Sequence, residues 1–118
     1  MQDANVSEHV FVVGDGDFEQ KVLKARLPVI VEFGAEWCPP CRVLAPVFHR
    51  LSAEYQGRLG FASVDIDENP IVYVRYRIQG VPTLILFKDG KEAVRFVGPH
   101  PGRLKRAIDT VLAEQVIG

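Results

Sequence analysis

Val29-Ile30-Val31-Glu32-Phe33 is apolar at consecutive positions apart from one acid. A run of this kind reads as a strand covered on both faces, as a central strand of an α/β sheet is. On either side of it the pattern switches between strand and helix periods. Residues 9–13 form a short β-branched and aromatic strand. Gly14-Asp15-Gly16-Asp17 breaks it and offers an N-cap for a helix over 18–25 whose apolar positions are Phe18, Val22 and Leu23. Val43, Leu44, Val47, Phe48 and Leu51 recur at helical spacing up to about Tyr55, with Pro46 inside, which predicts an interrupted and kinked helix.

The second half repeats the alternation. A strand over 59–66 runs into Asp65-Ile66-Asp67-Glu68-Asn69-Pro70, which suits a turn and a helix start; Ile71, Val74 and Ile78 give a short stripe that Gly80 stops. Thr83–Lys88 and Lys91–Val97 flank Asp89-Gly90, a two-residue hairpin signal that makes this edge antiparallel. A helix over 100–116 with Leu104, Ala107, Ile108, Val111 and Leu112 on one face closes the chain. The order βαβαβαββα predicts an α/β fold with a mixed five-stranded sheet between two helix layers. It forms one domain over residues 1–118, of which 1–7 are expected to be a flexible segment.

Composition narrows the function classes. At 118 residues, 47% hydrophobic and 25% charged, the chain fits one compact domain. A formal net charge of −1, with basic and acidic side chains spread along the chain, gives no electrostatic case for nucleic acid or an anionic membrane. The polar start Met1-Gln2-Asp3-Ala4-Asn5 lacks the basic and apolar regions of a signal peptide, and no apolar run approaches the roughly 18–20 residues of a membrane span. With one cysteine pair rather than several bridges, a reducing cytoplasm is the expected location.

That pair carries the chemistry. Cys38 and Cys41, the only two cysteines, stand three apart in Trp37-Cys38-Pro39-Pro40-Cys41, at a predicted strand-to-helix junction. A thiolate at a helix N-terminus is favoured by unpaired N–H groups and by the positive end of the helix dipole. A zinc site and a pair of inert structural thiols are the competing arrangements. Zinc needs four ligands, and His49 lies roughly 16 Å along the same predicted helix at 1.5 Å per residue. A lone C-x-x-C in a βαβ-like pattern points instead to a redox pair. No metal and no cofactor beyond a Cys38–Cys41 disulfide are expected.

Ala35-Glu36-Trp37-Cys38, Cys41, Ala45-Pro46, Asp65 to Pro70, Gly80-Val81-Pro82-Thr83, Phe87-Lys88-Asp89-Gly90 and Val97-Gly98 together resemble the thioredoxin family, in order and spacing, over nearly the whole chain. The resemblance implies a protein-disulfide reductase. Cys38 would attack a substrate disulfide, and Cys41, shielded inside the first helical turn, would resolve the mixed disulfide. Glu32 would be the base, its pKa raised by desolvation; the plainer alternative is a strand acid whose carboxylate reaches solvent. Pro82 matches the family's cis-proline, against a trans proline opening an edge strand. Trp37, Pro39, Pro40, Val81, Pro82, Val97 and Gly98 would form the surface where a substrate docks, although each also suits ordinary packing. Implied partners are disulfide-containing proteins and a thioredoxin-reductase-like electron donor, with the chain itself a monomer.

The departures are specific. Pro39 replaces the family's common glycine, removes an N–H, holds Cys38 extended and, preceding Pro40, is expected to push the helix start to Pro40. Glu32 replaces the usual aspartate, Gly34 stands where an aromatic is frequent, and Ser63 stands where a lysine often pairs with the buried acid. Without that lysine the Glu32 pKa should rise further. Two other functions fit a thioredoxin-like chain: a disulfide oxidant or isomerase, which would have a potential near −120 to −180 mV rather than about −270 mV, and a non-catalytic binding module.

Overall fold

The computed structural model describes residues 9–117, and the segment expected to be flexible, 1–7, lies outside them. Five strands, β1 (Val10–Val12), β2 (Val29–Gly34), β3 (Gly60–Asp65), β4 (Thr83–Lys88) and β5 (Lys91–Val97), form one sheet in the order β1-β3-β2-β4-β5. The β1–β3 and β3–β2 pairs are parallel, while β2–β4 and β4–β5 are antiparallel. The expected mixed sheet is therefore present with β2 near its centre. Three α-helices cover it: α1 (Pro39–Glu54), α2 (Pro70–Arg75) and α3 (Leu104–Ile117).

The period-2 alternation of the strands divides the core into two. Val29, Val31 and Phe33 of β2, with Ile85 and Phe87 of β4, face Phe18, Val22, Val72 and Ile78. Ile30 of β2, with Leu84 and Leu86 of β4, faces Leu44, Phe48 and Leu51 of α1, Tyr55 just beyond its end, and Leu104, Ile108 and Leu112 of α3. Glu32 lies two residues after Ile30, so the same alternation turns it towards α1. The β4–β5 hairpin closes on Asp89 (φ 54°) and Gly90 (φ 79°), the left-handed pair that a two-residue turn requires.

Several elements depart from the sequence-based expectation. The helix expected over 18–25 is a single wide turn, Glu19–Leu23, in which the Lys24 N–H donates to the Glu19 carbonyl; Phe18 and Val22 still reach the core through it. Asp15 does not cap that turn. Its carboxylate accepts the N–H groups of Ile71 and Val72, at 3.1 and 2.9 Å, and so caps α2 from across the fold. In α2 the buried residue is Val72, while Ile71 and Val74 are exposed, because the sheet contact lies one residue away from the expected stripe. The helix stops at Arg75, before a left-handed Arg77 (φ 53°), and not at Gly80. In α1, Val43 is exposed and the chain runs through Pro46 without a break. A 3-10 turn, Pro101–Arg103, precedes α3.

Replacing Asp15 by alanine leaves two N–H groups at the start of α2 without acceptors, and is expected to cost about 1–2 kcal/mol in chemical denaturation. A loss below a few tenths would show that α2 needs no cap from this loop.

Candidate functional site

The two cysteines meet where β2 hands over to α1. Cys38 is extended (φ −97°, ψ 107°), as a residue before proline must be, and acts as the N-cap of α1: its Sγ accepts the Cys41 N–H at 3.2 Å. The helix begins at Pro39, one residue earlier than expected. Proline at N1 has no N–H to leave unpaired, and the Arg42 N–H closes the first turn on the Cys38 carbonyl at 3.2 Å, which outweighs the bias of a residue before proline against helical geometry.

Both thiols are free. Only 3% of Cys38 is exposed, against 6% of Cys41. Packing explains this: Ala35, Cys38 and Cys41 form a small buried cluster against Ile66 and Val81. The Cys38 thiol also donates to the Val81 carbonyl at 3.6 Å. Cys38 nevertheless lines a groove with Trp37, Pro39, Pro40, Asp67 and Val81, in which the Trp37 indole N–H donates to Asp67 Oδ2 at 2.8 Å. Asp67 was not singled out from sequence, because nothing local to the loop after β3 indicates which side chain it will hold.

Pro82 follows a cis peptide bond and is buried beside the site. Its carbonyl accepts the Gly98 N–H at 2.8 Å, which brings Val97 and Gly98 next to it. Val97 is exposed, and both residues line a separate depression with Pro99, His100 and Leu104 rather than the Cys38 groove.

Beneath the helix start lies Glu32, 8% exposed, whose pKa is raised by burial to about 7. It makes no hydrogen bond among the described residues, and its neighbour across the β2–β3 register is Ser63, which offers no countercharge. The Cys41 thiol is pushed up to about 12, chiefly by burial and then by the neighbouring Cys38, with the charge of Glu32 adding to it. Cys41 and Glu32 line a second cavity together with Gly34, Ala45 and Ser63. Gly34 and Ser63 stood out in the sequence as separate oddities; only the sheet register shows that they belong to one opening. Among the described residues, no cluster of three or more His, Cys, Asp or Glu side chains could hold a metal ion.

Comparison with known proteins agrees with this geometry. The Thioredoxin family model matches residues 9–110. A thioredoxin of Pseudomonas aeruginosa is 47% identical over 93 residues, covering 79% of this chain and 86% of its own. A thioredoxin of Acidithiobacillus ferridurans is 46% identical over 108 residues, covering 91% of this chain and all of its own. Thioredoxin M5, chloroplastic, of Oryza sativa subsp. japonica is 35% identical over 98% of this chain and 65% of its own. A C-x-x-C pair at a strand-to-helix junction, in a chain matched over most of its length, makes this protein a member of the thioredoxin family, the thiol–disulfide oxidoreductases that reduce protein disulfides.

Proposed function

We infer that the reduction runs through Cys38 as the attacking sulfur and Cys41 as the resolving one, with Glu32 accepting the Cys41 proton. The observation that carries this assignment is the N-cap position of Cys38: its sulfur receives the Cys41 N–H and opens onto the Trp37 groove, while Cys41 sits one turn inside the helix. The Cys38 thiolate attacks one substrate sulfur and expels the other as a thiolate, leaving a mixed disulfide. Cys41 then gives its proton to Glu32, attacks the Cys38 sulfur and releases the second substrate thiolate, closing the Cys38–Cys41 disulfide. Two electrons have left the protein, and a thioredoxin-reductase-like donor returns them.

Trp37, Pro39, Pro40 and Val81 line the groove where the substrate chain docks, and beyond Pro82, whose carbonyl accepts the Gly98 N–H, the chain would continue over the separate depression lined by Val97 and Gly98. The family requires no cofactor beyond the cysteines. We place the protein in the cytoplasm as a monomeric single domain. Supporting this, no helix among the described residues is long and apolar enough to cross a membrane, and the Pseudomonas and Acidithiobacillus relatives are bacterial.

A trapping experiment tests the division of labour. Reduced Cys41→Ser protein incubated with disulfide-containing substrate proteins should accumulate mixed-disulfide adducts on Cys38, visible on a non-reducing gel and mapped by mass spectrometry. The Cys38→Ser protein should form none. Adducts carried by Cys41 in the second variant would reverse the two roles.

A further inference from the structure

The two cysteines open onto different spaces. The Cys38 groove and the cavity at Cys41 share no lining residue, so the two sulfurs are approached from separate openings. The Cys41 cavity holds about 370 Å³, within the range that takes a small molecule. Gly34 keeps it open: a Cβ there would stand 3.3 Å from Cys41 Sγ and 3.8 Å from Glu32 Oε2. Ser63, set by the register between Val12 and Glu32, leaves the floor short of bulk. A carboxyl that is 8% exposed and bonds to nothing else in the described protein faces the same space.

We propose that a low-molecular-weight neutral dithiol enters this cavity and reduces the Cys38–Cys41 disulfide by attacking the Cys41 sulfur, giving the protein a route of re-reduction separate from the substrate groove. The proposal rests on the Cys38/Cys41 assignment above. One S–H of the dithiol gives its proton to the Glu32 carboxylate, and its sulfur bonds to Cys41 as the S–S electron pair leaves on Cys38. The second thiol of the reagent then attacks its own partner sulfur, closes a reagent disulfide and expels Cys41, which takes the proton back from Glu32. The remaining reagent proton ends on Cys38. The dithiol is oxidised by two electrons and both cysteines are reduced.

The choice of sulfur follows from where the charge is left. Attack at Cys41 leaves it on Cys38, whose sulfur accepts the Cys41 N–H, whereas attack at Cys38 would leave it on the buried Cys41 thiolate. At the cavity's lining, Glu36, Asp65 and Glu68 outnumber Arg42, which disfavours anionic thiols.

The test labels Cys41 in the Cys38→Ser protein with neutral methyl methanethiosulfonate and follows the adduct by mass spectrometry. Filling the cavity with Gly34→Phe, or from the opposite wall with Ala45→Leu, should slow labelling about tenfold, since thiol reactivity follows access. The same single substitutions in the oxidised protein should slow reduction by dithiothreitol about as much. Unchanged labelling or unchanged reduction in both variants, with their circular dichroism intact, overturns the proposal. Insulin turnover by the Cys38→Ser protein would instead overturn the underlying assignment, so the two failures are told apart.

Discussion

Cys38→Ser is expected to bring the reduction of insulin disulfides down to the rate of dithiothreitol alone, a loss on the order of 10³-fold or more for removal of a nucleophile. Serine keeps the N-cap: its oxygen can accept the Cys41 N–H and donate to the Val81 carbonyl as the thiol does now, at 3.2 and 3.6 Å. The helix start should therefore survive, and thermal unfolding should move little. What disappears is a sulfur able to form and release an S–S bond. Insulin turbidity with and without the variant measures the effect. Turnover close to that of the native protein would leave Cys38 without a catalytic role.

Glu32→Gln should have two separable consequences. Resolution of the mixed disulfide should slow by about 10²-fold, the usual worth of a positioned base, while its formation, which involves only Cys38, should not change. Stopped-flow traces separate the two phases, and a variant that alters neither makes Glu32 a structural residue. The second consequence concerns stability. In the native protein this carboxyl holds its proton until about pH 7, whereas in the unfolded chain it loses it near its ordinary 4.5. The native state thus binds more protons between those values. The contribution of this group to stability is fully present below about pH 4.5, falls as pH rises towards 7 and levels off above. At about 1.4 kcal/mol per pKa unit the loss is about 3 kcal/mol. Glutamine has no proton to lose, so the variant should gain on the native protein by that amount between pH 4.5 and pH 8 in urea titrations. A constant difference across this range would mean that the carboxyl is hydrated in the native state.

The charge at this position shows how sequence and fold divide the information. An acid in the apolar run of β2 is visible at once, while the lack of a lysine to pair with it shows only against the family that the chain resembles. Its burial against α1 depended on register: Glu32 shares a face with Ile30, and Ser63 sits beside it only because β2 and β3 pair in parallel with that offset. Patterns of long reach and regular period were legible in the same way. The five strands, the Asp89-Gly90 turn and the long helices could all be read because each is set by neighbours a few residues apart. The short elements were not. Residues 18–25 and 71–78 carry apolar spacings too brief to decide a helix, and their form was settled by what they pack against and by Asp15 reaching from one loop to cap a helix more than fifty residues on.

By itself the chain determined a cysteine pair at the junction of a strand and a helix, in a mixed α/β sheet, and with it a disulfide-exchanging chemistry. The tertiary structure alone decided that both sulfurs are buried, that each opens onto its own cavity, and that Trp37 is held by Asp67. Local sequence sets backbone propensity and spacing, but burial and cavities arise where segments distant in the chain close against one another, and no single segment encodes that meeting.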